Sequence, residues 1–170
     1  SKIEPIELIA QCNYGLASLM SKQIRSLGGK INTVVDVKAN QFVFFEIQIK
    51  NLNINKFTIA EDIYINVFTV SLFKQKDLAK IDSRLEKTDL RYLISKYKLL
   101  NGYSGDIEKS YQVFIKQDKD HYLYRREIAS YLTKAISKRS RSWKVNGNKY
   151  NYEFVCLYKD CQNNQRLFGQ

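Results

Sequence analysis

Residues 6–49, IELIAQCNYGLASLMSKQIRSLGGKINTVVDVKANQFVFFEIQI, decide the fold class. Ile6, Leu8 and Ala10 alternate with Glu7, Ile9 and Gln11 in a half-buried strand pattern that ends at Cys12. Asn13 can then cap a helix. Leu16, Leu19, Met20, Ile24 and Leu27 recur at spacings of three and four, while Ser18, Lys22, Gln23 and Arg25 take the other faces. Gly28 and Gly29 end that helix, because glycine adopts a left-handed cap without steric cost. Two β-rich runs follow, INTVVDVKAN and QFVFFEIQI, joined through Ala39, Asn40 and Gln41, which has the length of a hairpin turn without the preferred Asn-Gly. The opening is therefore βαββ.

Working outward, the segment KNLNINKFTIAED is weakly patterned and has room for a short helix. Residues 63–73 then carry apolar side chains on both alternating faces, which predicts one strand in a central position of the sheet. Together these elements make residues 1–75 a ferredoxin-like module. In residues 76–109, Leu78, Ile81 and Leu85, then Leu90, Leu93, Ile94 and Tyr97, predict two short helices, with Thr88 and Asp89 capping the second and Asn101 to Gly105 as a break. This stretch reads as a helical connector between modules. Residues 110–170 form a second α/β module, so the fold class is α+β.

That second module opens with SYQVFIKQDKDHYLYRREIASYLTKAISKRSR, residues 110–141. Tyr111, Val113 and Ile115 mark a strand, and Tyr124, Ile128, Leu132, Ala135 and Ile136 mark the apolar side of a helix. A strand near residues 150–158 and a final one at 165–168 close the chain, with a polar turn between them. Residues 121–149 hold eight Lys or Arg against one acid, Glu127, in a chain of net charge +11. A helix C-terminus favours two or three such cations at ~0.3–1 kcal/mol each. A run that continues past the helix points to a polyanion, and nucleic acid is the simplest one.

The 170 residues are 44% hydrophobic, enough for one ordinary domain or two small ones and too apolar for disorder. Cys12, Cys156 and Cys161 are odd in number and have no ligand-like spacing with His121, so neither a disulfide framework nor a metal site is expected. Reduced thiols make a cytoplasmic location the expectation. No apolar run approaches a membrane span, and no membrane partner is expected.

These residues resemble a known family. IELIAQCNYGLASLMSKQIRSLGGKI is similar to the start of the THUMP-containing RNA methyltransferases, in which a strand ending in Cys leads through Gly-Leu into a helix closed by Leu-Gly, here Cys12, Gly15, Leu16, Leu27 and Gly28. Phe44, Phe45, Ile63 and Tyr64 resemble the strands that follow there. SYQVFIKQDKDHYLYRREIASYLTKAI, with YNYEFVCLY after it, resembles the THUMP core, with Arg126, Glu127 and Ile128 at the start of its helix. Val145, Asn146 and Gly147 depart from the Val-Asp-Leu turn common in the family. The resemblance implies a ferredoxin-like module followed by a THUMP module, which together hold the acceptor end of a tRNA against a catalytic methyltransferase domain in the same polypeptide. That domain, of guanine-N2 type, would use S-adenosylmethionine. Alternatives are a stand-alone THUMP adaptor that presents tRNA to a separate enzyme, or a basic protein-interaction module.

The chemistry itself is not expected in these residues. Pro5 is the only proline, which rules out an Asp/Asn-Pro-Pro-aromatic motif, and no glycines form G-x-G-x-x-G. His121 stands in a charged turn without an evident partner, and Asp118 and Asp120 flank Lys119 there. The candidate RNA contacts are Lys116, Lys119, Arg125, Arg126, Lys134, Lys138, Arg139, Arg141 and Lys144, with Tyr124 and Trp143 as stacking surfaces. Of that pair, Trp143 reads more readily as a core anchor.

Overall fold

A computed structural model describes residues 4–72, 74–118, 125–139, 141–161 and 164–169. The alternation that opens the sequence becomes β1 (Pro5–Asn13), followed by α1 (Ala17–Ser26), β2 (Lys30–Val37) and β3 (Asn40–Gln48). Two 3-10 turns, Ile49–Asn51 and Ile54–Lys56, lead to β4 (Asp62–Ile65). The sheet runs β2-β3-β1-β4 with every neighbouring pair antiparallel. β1 and β2 consequently point the same way, with β3 between them and α1 as the crossover, which is the split βαβ order of ferredoxin-like sheets. The 3-10 turns stand where that pattern has its second helix.

Ile6, Leu8, Ala10 and Cys12 pack with Ala17, Met20 and Ile24 of α1 and with Val43, Phe45 and Ile47 of β3. The other face of the same strands is no wetter, since Ile9, Phe42 and Phe44 are buried. Both central strands thus carry apolar residues on both sides.

The ends of α1 show how sequence distance hides a cap. Asn13 supplies only its backbone carbonyl, to the Leu16 N–H at 3.1 Å. The side-chain cap comes from β3, where Gln41 Oε1 accepts from the N–H groups of Gly15 (2.9 Å) and Ala17 (3.0 Å) while its Nε2 donates to Asp36 Oδ1. At the other end Gly28 takes φ +97°, its N–H reaches Arg25 O, and the Gly29 N–H reaches Ile24 O at 2.9 Å. That is the paired-bond ending glycine makes possible.

The chain divides into two compact units, residues 1–66 with 93–104, and residues 67–92 with 105–170. The boundaries expected at 75/76 and 109/110 fall elsewhere because two elements are shared out differently. The single strand expected over 63–73 is two strands. β4 pairs with β1, whereas β5 (Phe68–Ser71) pairs with β9 (Asn164–Gly169) in a second sheet. Asn66 closes the first unit's part, its N–H on Glu7 O at 3.0 Å. The two helices expected in the connector are α2 (Ala79–Glu86) and α3 (Leu90–Leu100), and Asp89 Oδ1 caps α3 at the Tyr92 N–H. The later part of α3 belongs to the first unit, where Leu100 joins the core and Lys96 pairs with Glu4 at 2.8 Å.

The second unit continues with β6 (Ser110–Gln117), α4 (Arg125–Arg139), β7 (Lys144–Val145) and β8 (Tyr152–Cys161). Its sheet runs β5-β9-β8-β6-β7. β6 is parallel to β7 and β8, with α4 as the crossover, and β9 is antiparallel to both β8 and β5. Tyr111 is fully buried at its centre, its hydroxyl bonded to Thr133 O (3.0 Å) and Ser137 Oγ (2.8 Å) of α4. Around it stand Trp143 and Phe154, both edge-on at 5.9 and 5.5 Å, with Tyr152 against Trp143 at 5.2 Å. The fold is α+β throughout.

Candidate nucleic-acid interface

α4 turns Ile128, Leu132, Ala135 and Ile136 inward, as its spacing predicts, and leaves Arg125, Arg126, Lys134, Lys138 and Arg139 exposed. Arg126, Ser130 and Lys134 are four residues apart and form one stripe along the helix. Two open grooves flank its first half. One, about 610 Å³, lies between α4 and β6 and is lined by Arg125, Arg126 and Ala129 on one side and Val113, Phe114, Ile115 and Gln117 on the other. The second, about 500 Å³, is lined by Arg126, Glu127, Ser130, Tyr131 and Lys134 together with Gln75 and Leu78. Arg126 stands on the ridge between them. The positive end of the helix dipole adds to the two guanidinium groups at the same place.

The other expected contacts are spread more widely. Arg139 Nη2 lies 3.5 Å from Glu86 Oε2 and 3.4 Å from Asp82 O, so part of its charge is already answered. Asp82 Oδ2 also accepts from the Tyr131 hydroxyl at 2.8 Å, which raises that phenol's pKa. α2 and α4 are thereby held together at the basic end of the helix. Arg141 is exposed beyond that end. Lys144 is exposed at the sheet margin, where its N–H bonds to Lys109 O. Lys116 alternates with Tyr111, whose hydroxyl reaches α4, and therefore faces the opposite side of the sheet. Lys119 and Tyr124 lie outside the described residues, as does His121.

Trp143 is 5% exposed, with Tyr111, Tyr152 and Phe154 packed on it. It is a core anchor and offers no free ring face to a base. Phe114, on the other face of β6, is an exposed aromatic, with the Tyr150 ring 5.9 Å away. Its signal was present in the alternation: with Tyr111, Val113 and Ile115 inward, an aromatic at 114 must point outward.

Two thiols, Cys12 and Cys156, are buried. Burial pushes the Cys156 thiol far up, and burial with the Glu61 carboxylate raises that of Cys12. Among the described residues, no group of three His, Cys, Asp or Glu side chains is placed to hold a metal ion. Among them, too, no helix is long and apolar enough to cross a membrane.

No family model and no curated protein sequence matches the chain. Its fold is shared with solved structures. TrmN from Thermus thermophilus superposes with a TM-score of 0.66 at 13% identity, over 96% of this chain and 44% of that one. A predicted N6-adenine-specific DNA methylase from Listeria monocytogenes str. 4b F2365 gives 0.58 at 15% identity, over 98% and 40%. SMU.472, solved in complex with SAH, gives 0.53 at 16%, over 99% and 42%. At these identities the likeness is one of fold, and the chain spans less than half the length of each of those proteins.

Proposed function

We propose that this chain is the RNA-binding THUMP region of an S-adenosylmethionine-dependent RNA methyltransferase whose catalytic domain lies in the same polypeptide, and that its RNA is the acceptor end of a tRNA. The observation that carries the reading is the exposed Arg125, Arg126 and Lys134 of α4, which line the two grooves that flank it, on a fold shared almost end to end with part of TrmN. Such a surface binds phosphates, with affinity that falls steeply as salt rises and with little reading of sequence. In this reading the chain does no chemistry. It positions the RNA for a guanine-N2-type transfer elsewhere, and S-adenosylmethionine would bind in the catalytic domain.

The test is binding of tRNA, and of duplex DNA for comparison, by the full chain across a salt series. We expect tRNA to bind more tightly than DNA, with log affinity falling linearly in log salt. Arg126→Glu together with Lys134→Glu should weaken tRNA binding by at least about tenfold and flatten the slope by roughly 0.7–0.9 per lost phosphate contact. No tRNA binding at low salt, or an affinity indifferent to both reversals, would defeat the proposal. The catalytic part is read in the polypeptide that carries this chain, as transfer of a labelled methyl group from S-adenosylmethionine to tRNA.

A further inference from the structure

We infer that the second unit's sheet, on its face away from α4, carries a site of its own for single-stranded RNA, in which a base stacks on Phe114 and Tyr150 and backbone phosphates meet Lys116 and Lys144. The inference rests on the RNA-binding reading. It adds a second surface, separate from the α4 grooves, and a requirement for unpaired nucleotides. Strand geometry brings these residues together. Successive residues of β6 face opposite sides of the sheet, and Tyr111 sends its hydroxyl to Thr133 and Ser137 of α4. Gln112, Phe114 and Lys116 therefore share the other face. β7 runs parallel to β6 with Lys144 beside Ser110, and paired residues point the same way, so Lys144 lies on that face too. Trp143 agrees with this sense, since it packs on Tyr111. Along the strand direction Lys144 stands about 13 Å before Phe114, and Lys116 about 7 Å beyond it.

The aromatic pair is both exposed and held. Phe114 is open to solvent, and the Tyr150 ring stands 5.9 Å from it, tilted by 58°. The Tyr150 hydroxyl donates to Glu153 Oε1 at 3.3 Å, and Glu153 is the β8 partner of Gln112, so this bond keeps the tyrosine on the same face. It also engages a carboxylate that would otherwise repel a phosphate. Asp118, just past the end of β6, is answered by Lys159 at 3.4 Å. Lys144 is exposed and Lys116 half-buried, and neither lines the grooves beside α4. Aromatic faces with cations before and after them along one strand suit single-stranded RNA, whose bases stack without regard to sequence while its phosphates meet the charges. A base within a duplex has both faces covered and could not reach the rings. An apolar protein surface would cover the rings but leave both ammonium groups without an anion.

The experiment uses the full chain with tRNA and with an oligoribonucleotide of about eight residues, a length within the usual range of single-strand sites, carrying 2-aminopurine. Stacking should quench the 2-aminopurine fluorescence on binding. Phe114→Ala should abolish the quench and weaken oligonucleotide binding by about 5- to 100-fold while leaving the salt slope unchanged. Phe114→Tyr should keep both quench and affinity, and an unchanged circular dichroism spectrum shows that each variant has folded. Lys116→Gln with Lys144→Gln should instead flatten the salt slope, by roughly 0.7 per lost contact to a single strand. RNA binding by the wild type without a quench, or equal binding and quench in Phe114→Ala, would overturn the sheet-face site and leave the RNA-binding reading standing. A wild type that binds no RNA at all would overturn both. Self-association of the wild type that Phe114→Ala abolishes would assign this face to a second copy of the chain and overturn the site as well.

Discussion

Trp143 is the only tryptophan in the chain, and its burial against Tyr111, Tyr152 and Phe154 makes it a reporter of the second unit's core. Native emission should be blue-shifted and poorly quenched by acrylamide, with quenching rising only on denaturation. Strong quenching in the native state would mean that the ring is open to solvent. Trp143→Ala should cost about 3–5 kcal/mol in denaturant titrations, the usual range for emptying an aromatic core site. The Cys156 thiol, raised by full burial, gives a pH dependence whose sign is fixed. A raised folded-state pKa means that the native state favours the protonated thiol. This contribution is complete below the unfolded thiol value and lost as pH rises above it, so stability should decline from about pH 9 upward. Equal denaturation midpoints at pH 7 and pH 10 would contradict this. Some of these residue roles were readable in the sequence and others were not. Val155, Cys156 and Leu157 announced a strand with a packed thiol, but the capping of α1 by Gln41 arises only when β3 lies beside β1, and no local pattern carries it.

At the scale of elements, α4 illustrates how a helix can be read correctly for packing and incompletely for charge. Its spacing of three and four gave the buried face, because burial of one side is what makes a short helix persist. Which exposed cations are free depends on what packs beside them. Arg139 meets Glu86 and the Asp82 carbonyl of α2, whereas Arg126 lies on the ridge between two grooves. Arg126→Gln should therefore weaken tRNA binding more than Arg139→Gln, with the larger change in salt slope also at Arg126. Equal losses would mean that the partner carboxylate does not restrain Arg139. The split of residues 63–73 into β4 and β5 has a related cause. Period-two alternation reports that a strand is covered on both faces, and it is silent about which sheet the strand joins.

At the scale of the whole molecule, the net charge of +11 and its concentration around α4 were visible in composition, and they direct the chain towards polyanions. The division of the chain was not visible, because it follows from pairing between distant segments. β5 is the strand beside β9, and α2 brings Ile81 and Leu85, both buried, together with the Asp82 carboxylate that receives the Tyr131 hydroxyl of α4. A fragment of residues 110–170, the module suggested by sequence alone, would lose all of these. It would expose the β9 edge, whose unsatisfied backbone groups invite pairing with other chains, and it would uncover the side of α4 that meets α2. Such a fragment should fail to unfold cooperatively and should self-associate in sedimentation, while the full chain gives a cooperative transition. A monomeric fragment with a sharp thermal transition would show that β5 and α2 are dispensable, and that the basic helix can be held in place by β6 and β8 alone.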